Sequence, residues 1–361
     1  MIIQPTTIEE VQKAVAASAH VVVRGSGTKR GLCTPEGEAT VLDFSRLSGV
    51  LEYEPGEFTF TALAGTPVAE VNRLLAEHGQ YLPFDPLLAE SGATLGGTVA
   101  AGLSGSGRYR FGGVRDFILG VRFVDGTGAL VRGGGKVVKN AAGFDLPKLM
   151  VGSLGQYGAL AEFSFKVFPR PEATLSLHAV FPSLAAALPA MQSVYTAPLD
   201  VDALDLTISA EGKVELWVRL GGLGAVLAAR AERIGALLGG AEVITSEAEA
   251  ALWRSVRELG WVPAGWCLVK VPLSPARLAG FDTAAAGLSA LRRYCAGGNL
   301  AWVAFPAEQL ASFETALNQQ GLAGLLVFGP AGRPILGQRT GENFAKRVKA
   351  ALDPAGRFIS V

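Results

Sequence analysis

Between Leu82 and Pro169 the chain is so rich in glycine that no uninterrupted helix or strand accounts for it; the run LPFDPLLAESGATLGGTVAAGLSGSGRYRFGG opens the stretch. Each glycine inside a regular element costs roughly 0.5–1 kcal/mol relative to alanine, so local stability did not select this composition. Hydroxyl residues stand among the glycines: Ser91, Thr94, Thr98, Ser104 and Ser106. Backbone N–H groups in such a run can converge on a phosphate with no side chain in the way. A phosphate-bearing cofactor is therefore the first expectation. The common dinucleotide patterns do not supply it. Gly105-Ser106-Gly107 is followed by Arg108-Tyr109-Arg110, so the third glycine of G-x-G-x-x-G is missing, and no G-x-x-x-x-G-K-[ST] occurs.

The order and spacing of several short motifs carry a more specific signal. They are Pro83-Phe84-Asp85-Pro86, Ser91-Gly92-Ala93-Thr94-Leu95-Gly96-Gly97-Thr98, Arg110-Phe111-Gly112, Arg115-Asp116, Lys139-Asn140-Ala141-Ala142-Gly143-Phe144-Asp145-Leu146 and Gly152-Ser153-Leu154-Gly155. Together they resemble the second half of the PCMH-type flavin domain of the vanillyl-alcohol oxidase and p-cresol methylhydroxylase family. Within it, the chain is most similar to the glycolate and D-lactate dehydrogenase branch, and there to the E-type subunits of bacterial glycolate oxidases.

Bulk properties bound the remaining choices. A chain of 361 residues, about half of them hydrophobic, suggests two or three domains with a substantial core. Lys plus Arg and Asp plus Glu balance at 32 each, which gives no general pull toward nucleic acid or anionic membrane. Cys33, Cys267 and Cys295 are odd in number and unclustered, so neither a disulfide framework nor an iron–sulfur or zinc site is expected. MIIQPTTIEE lacks the pattern of a secretory leader, and no run keeps the ~18 apolar residues of a membrane span. A cytoplasmic protein without metal is expected.

In chain order, Ile8 to Ala19 shows helical spacing with Thr7 as N-cap and Glu10 three residues on. His20-Val21-Val22-Val23 reads as a buried strand that stops at Arg24-Gly25-Ser26-Gly27-Thr28-Lys29-Arg30-Gly31. That turn resembles the family's first flavin loop; a surface hairpin is the plain alternative. Strands are expected over Thr40–Phe44, Val50–Glu54, Phe58–Leu63, Phe117–Val124, Ala129–Arg132 and Tyr157–Phe168, and helices over Pro67–His78 and Asp145–Val151. Pro169-Arg170-Pro171 ends the domain, and all five tryptophans lie beyond it, where strands alternate with helices. Phe281–Cys295 reads there as one element. The pattern fits helices on one face of an antiparallel sheet. The expected architecture is thus α+β. A two-lobed PCMH-type FAD-binding domain covers residues 1–170, with lobes of about 1–55 and 56–170. A ferredoxin-like α+β cap covers 171–332, and 333–361 returns to the first domain.

The resemblance implies noncovalent FAD. Arg24, Gly25, Ser26, Gly27 and Thr28 would face Gly92, Ala93, Thr94, Gly97 and Thr98 across the diphosphate, with hydroxyl donors from Thr28 and Thr94. Gly158 and Leu160 would hold the adenine and ribose end, and Pro83 would shape the wall beside the ribityl chain. The histidine of covalent relatives is absent from the first loop. A 2-hydroxy acid oxidised on a flavin needs a cation for its carboxylate and a base for its hydroxyl. Arg108, Arg110 and Arg115 are the candidate cations; a solvated surface role is the alternative for each. No base is assigned. The H-x-G-D-G-N-x-H motif of related dehydrogenases, which also binds a metal, is replaced by Cys295-Ala296-Gly297-Gly298-Asn299-Leu300-Ala301-Trp302. His20, His78 and His178 read as structural or surface residues. The chain also ends Phe358-Ile359-Ser360-Val361 where the family has Asn-Pro-Gly. An intact flavin half with an eroded base motif implies a subunit that works beside D-type and iron–sulfur F-type partners. A self-sufficient dehydrogenase and a non-catalytic scaffold are the alternatives. Gly221-Gly222-Leu223-Gly224 after Val214–Leu220 imitates a nicotinamide site, but Leu227 occupies the third glycine position.

Overall fold

The computed structural model describes residues 1–34, 37–135 and 144–359. The motif Lys139-Asn140-Ala141-Ala142-Gly143 and the last two residues, Ser360 and Val361, lie outside these. Two compact units divide the chain. One comprises Met1–Ser104, Gly112–Arg170 and Thr340–Val361, the other Gly105–Phe111 and Pro171–Arg339.

The first unit opens with β1 (Ile2–Ile3), α1 (Ile8–Ala17), β2 (Val21–Arg24) and β3 (Thr40–Asp43). The strands form a parallel sheet in the order β1-β3-β2. Ile8, Val11, Ala14 and Val15 give α1 a buried stripe at helical spacing. Thr7 caps it by accepting from the Glu10 N–H at 3.2 Å, while the Glu10 carboxylate accepts from the Thr6 N–H at 2.7 Å. Next come β4 (Val50–Glu54), β5 (Thr59–Leu63), α2 (Val68–Ala76), β6 (Gln80–Tyr81), α3 (Leu95–Ala101), α4 (Arg108–Phe111), α5 (Val114–Phe117), β7 (Ile118–Val124), β8 (Leu130–Gly134), α6 (Leu146–Met150), β9 (Ala159–Lys166) and β10 (Phe168–Pro169). An antiparallel sheet runs β4-β5-β9-β7-β8, and β6 pairs with β10. Strand β4 therefore belongs with the second sheet, not with the lobe of residues 1–55, because it pairs with β5. Phe60, Phe84, Phe117 and Phe165 are fully buried, with Phe60–Phe165, Phe84–Phe117 and Phe84–Phe165 ring centroids 5.4–6.3 Å apart.

Helix α3 was not expected, since its sequence LGGTVAA contains two glycines. It forms because Thr94 accepts from the Gly97 N–H at its start, Gly102 closes its end at φ 61°, and Leu95, Thr98, Val99 and Ala101 are buried.

The second unit takes in α4 and continues with β11 (Ala173–Phe181), α7 (Leu184–Thr196), β12 (Ala203–Ile208), β13 (Val214–Gly222), α8 (Gly224–Leu237), β14 (Glu242–Thr245), α9 (Ser246–Arg257), β15 (Cys267–Pro272), α10 (Leu278–Ala285), β16 (Leu291–Cys295), β17 (Leu300–Phe305), α11 (Leu310–Gln319), β18 (Ala323–Phe328) and β19 (Ile335–Gly337). The antiparallel sheet runs β14-β11-β13-β12-β16-β17-β15-β18-β19. This order contains the βαββαβ ferredoxin-like arrangement twice, β11 to β14 and β15 to β18, joined where β12 pairs with β16. Two expectations need correction. Phe281–Cys295 is a helix and a strand, α10 and β16, rather than one element. The helices also occupy both faces. Leu204, Leu206, Leu216 and Val218 join one core with Met191, Ile234 and Phe313, whereas Ala203 and Trp217 pack with Trp253 and Val256 of α9. Alternation along a strand sends neighbouring residues to opposite faces, so α9, the connection between the repeats, covers the second face.

The last helix, α12 (Glu342–Leu352), returns the chain to the first unit. Beyond it Asp353 accepts from the N–H groups of Arg357 and Phe358, both at 2.9 Å, and from Lys349 Nζ at 2.6 Å. Phe358 is buried and bridges to Val21 beside the start of β2.

Candidate functional site

Strand β2 ends at Arg24, and the chain turns at Gly25-Ser26-Gly27-Thr28 before a single helical turn, Arg30–Leu32. Gly27 has φ +70°, a conformation that an L side chain adopts only at a cost. Gly25 is required for a different reason: a Cβ there would stand 2.6 Å from Thr94 Oγ1. The turn and the start of α3 are thus in close approach. Between them, and bounded further by Ala100, Leu154, Gly155, Gly158 and Leu160, lies a cleft of about 330 Å³. Its remaining walls include Val22, Phe44, Leu32 and Ala64, and no Asp or Glu lines it among the described residues. Pockets of about 300–1,000 Å³ with apolar walls and a few directed polar groups are the usual form of a small-molecule site.

The two sides offer different chemistry. Among the described residues, no acceptor takes the N–H groups of Gly25, Ser26, Gly27 or Thr28, which sit beyond the strand and before the helical turn. On the other side the amides are committed. Gly92 donates to Ala89 O (3.2 Å), Ala93 to Leu88 O (2.9 Å), Gly97 to Thr94 Oγ1 (3.2 Å) and Thr98 to Thr94 O (2.9 Å).

Of the residues expected to hold a cofactor, Arg24, Gly25, Ser26, Gly27, Thr28, Thr94, Gly97, Gly158 and Leu160 line the cleft. Pro83, Gly92, Ala93 and Thr98 are not among its lining residues. The reason is backbone closure: the Gly92 and Ala93 amides complete the turn before α3, and the Thr98 hydroxyl donates back to Thr94 O at 3.0 Å. The hydroxyls of the glycine stretch separate in the same way. Ser104 accepts from the Val114 N–H, Ser106 donates to Asp205, and only Thr94 of the five lines the cleft. Residues Lys29, Cys33 and Thr34 line it although the sequence motifs did not single them out as ligands.

The three candidate arginines diverge. Arg110 Nη1 lies 3.0 Å from Asp202 and its Nη2 lies 3.5 Å from Asp200, so its charge is shared with two carboxylates. Burial raises the Asp202 carboxyl, against the pull of Arg110. Arg115 is exposed. Arg108 stands near Lys270 of β15, whose amine is lowered to about 8, first by burial and then by the Arg108 charge. Lys270 pairs across the strands with Trp302, and Trp302 with Arg293, on one sheet face. Arg293 is held by Asp205 at 2.9 Å. Lys270 was missed, although a lone lysine within the apolar run CLVKV was a usable signal.

The segment compared with the histidine motif presents buried Cys295 and Trp302 where the histidines would stand. Among the described residues no group of three or more His, Cys, Asp or Glu could hold a metal ion. His20 and His78 are exposed, and His178 stacks on Trp217 at 4.0 Å with its Nε2 3.1 Å from Glu215. The glycines after β13 reflect packing: a Cβ on Gly221 would lie 2.4 Å from Asp202 Oδ2. No described helix is long and apolar enough to cross a membrane.

Comparison with known proteins agrees with the cleft. Residues 1–134 match the FAD binding domain family. Over 359 residues, 97% of this chain and 94% of the relative, the sequence is 36% identical to glycolate oxidase subunit GlcE of Escherichia coli (strain K12). The chain belongs to the glycolate oxidase subunit GlcE family. Glycolate oxidase subunit GlcD of Bacillus subtilis (strain 168) is 31% identical over 213 residues, 56% of this chain and 45% of that protein. Among solved structures, an alkyldihydroxyacetonephosphate synthase matches with a TM-score of 0.74 at 18% identity, covering 98% of this chain and 74% of that one. This match shows a shared fold, and the α+β architecture with a PCMH-type flavin domain holds.

Proposed function

We propose that the chain binds FAD noncovalently in the cleft of its first unit and is a flavoprotein subunit for oxidation of glycolate or a similar 2-hydroxy acid. It acts in the cytoplasm beside D-type and iron–sulfur F-type partners. The observation that carries the reading is the turn Gly25–Thr28, which, among the described residues, lines a cleft without carboxylates and keeps four N–H groups unclaimed. Oriented amides of this kind suit a diphosphate. The Thr94 hydroxyl adds a donor from the opposite wall, and the apolar surfaces of Val22, Phe44, Leu154 and Leu160 suit the rest of the molecule. FAD, when bound, supplies a two-electron acceptor for the hydride of the hydroxy acid.

Noncovalent binding follows from a first loop without histidine. Cys33 is at the cleft with its Sγ 3.5 Å from Lys29 O, an arrangement in which the thiol points back to its own turn. For the substrate carboxylate, Arg108, with Lys270 beside it, is kept as a candidate cation, and Arg110 shares its charge with Asp200 and Asp202. No side chain is assigned as the base.

The test is a visible spectrum of the purified full chain after loading with FAD, followed by acid precipitation. A flavin spectrum with the flavin released to the supernatant is expected. Absence of FAD uptake overturns the cofactor assignment, and flavin in the pellet overturns noncovalent binding. Glycolate is then added to the loaded chain with and without its D-type partner. Buried Cys295 and Trp302 favour a second reading, in which this chain holds FAD as a scaffold and never reduces it. Flavin reduced only with the partner supports the subunit reading, reduction by the isolated chain supports a self-sufficient dehydrogenase, and no reduction in either case leaves the scaffold.

A further inference from the structure

We infer that Ser106 and Asp205 form a latch that positions Arg108, holding its guanidinium ready for the substrate carboxylate. The inference rests on the role proposed above for Arg108 and adds what keeps that residue in place. Residues Gly105–Phe111 belong to the second unit, although Ser104 and Gly112 on either side belong to the first. Little in this segment stiffens it from within. Glycine occupies positions 105, 107 and 112, the last at φ +87°, and α4 is a single turn in which the Arg108 N–H donates to Gly105 O at 3.3 Å and the Tyr109 N–H to Ser106 O at 3.0 Å. A helix this short does not hold by itself. Its geometry comes from the groups that grip its two ends.

Those groups are carboxylates in and just before β12. At the start of the turn, Ser106 Oγ donates to Asp205 Oδ2; both residues are buried, and the same oxygen accepts from Arg293 Nε at 2.9 Å. At the other end, Arg110 pairs with Asp202 and Asp200. The Ser106 bond is the firmer anchor. A hydroxyl on a desolvated carboxylate makes a charge-assisted bond about twice as strong as a neutral one, whereas the Arg110 and Asp200 side chains are 33% and 76% exposed, where water weakens an ion pair. Arg108 lies between the anchors. It makes no ion pair with a carboxylate among the described residues, and its charge is close enough to Lys270 to help lower that amine. Like charges repel, so a loosely held Arg108 would swing away from Lys270. A backbone fixed at Ser106 opposes that movement.

The experiment is a double-mutant cycle on the full chain loaded with FAD, with its D-type partner present. It compares wild type, Ser106→Ala, Arg108→Met and the double variant. KM and kcat are measured for glycolate, and Kd for oxalate, a carboxylate with no hydride to give, from its effect on the flavin spectrum. In Ser106→Ala, KM and the oxalate Kd are expected to rise by about tenfold, with kcat within about twofold and FAD affinity unchanged. In the Arg108→Met background the same change should move neither constant by more than about twofold, because a latch that acts through Arg108 then has nothing left to position. Equal rises in both backgrounds mark Ser106 as structural and overturn the inference. Unchanged KM and oxalate Kd in a folded Ser106→Ala also overturn it. Ser106→Ala leaves Asp205 paired with Arg293, and circular dichroism checks its fold. Should it unfold, Asp202→Asn, which loosens the other end, is taken through the same cycle, and equal rises in both backgrounds there overturn the inference. Failure of the underlying reading looks different: Arg108→Met then matches wild type in KM and oxalate binding, or wild type reduces no flavin with glycolate, and the inference falls with it.

Discussion

The turn at Gly25–Thr28 and the turn at Gly92–Thr98 are both glycine-rich and both carry threonine, yet they do opposite things with their backbone. The first leaves its N–H groups without an internal acceptor among the described residues, because it lies between a strand end and a one-turn helix. The second uses its N–H groups to close a bend and start α3, leaving the cleft a flat wall and the Thr94 hydroxyl. Glycine thus has two roles in one site. In one turn it exposes donors, and in the other it lets backbones approach, as Gly96 does where a Cβ would lie 3.0 Å from Ala64.

Substitutions in the two turns test this division in order of expected effect. Gly25→Val would press a side chain onto Thr94 Oγ1, 2.6 Å from its Cβ, and is expected to weaken FAD binding by about a hundredfold while the unliganded unit stays folded. Flavin fluorescence titration with circular dichroism checks it, and wild-type affinity would break the comparison at its strongest point. Thr94→Val removes both the cap of α3 and the hydroxyl on the cleft. It should cost about 1 kcal/mol of stability and about five- to tenfold in FAD affinity, with Thr94→Ser restoring most of both. Thermal unfolding and the same titration separate the two losses.

A pH series contrasts the first unit's amides with the second unit's charge. Amides have no proton to lose near neutrality, whereas Lys270 gives up its proton at about 8. If Lys270 holds the carboxylate, the apparent affinity for glycolate in flavin reduction should fall up to about tenfold per pH unit above about 8. In Lys270→Met the profile should be flat and the affinity low throughout; stopped-flow reduction in the presence of the partner reads both. The sign for stability is opposite. Above about 8 the unfolded lysine still holds a proton that the folded one has lost, so this group makes the protein more stable as pH rises toward the ordinary lysine range. The smallest effect is expected for Thr98→Val, whose hydroxyl bonds Thr94 O and which is not among the residues lining the cleft. FAD affinity should stay within about threefold, and stability should drop by about 0.5–1.5 kcal/mol. A large loss of affinity would mean that the second turn contributes donors after all.

Much of the strand pattern was legible because alternation and glycine stops are local signals: β3, β5, β7 and β9 lie within a few residues of their expected places. What failed was non-local. Val50–Glu54 reads as a strand in either lobe, and only its pairing with β5 assigns it. Helix α9 is amphipathic by sequence, but which sheet face receives Trp253 depends on the register of β12 and β13. In the site, Gly25 to Thr28 were readable as a turn of small residues, while the inward placement of Lys29 was not, since a lysine in a polar turn reads as solvated until burial is known.

The sequence by itself determined where the backbone can bend and expose amides, because φ restrictions and missing side chains belong to single residues. It also determined the family, through the spacing of motifs between Leu82 and Pro169. Only the tertiary structure decided which amides remain available and which charges stand inside. A close approach or a neighbouring charge is a relation between distant segments: Thr94 against Gly25, Lys270 beside Arg108. Such relations exist only after the chain has packed.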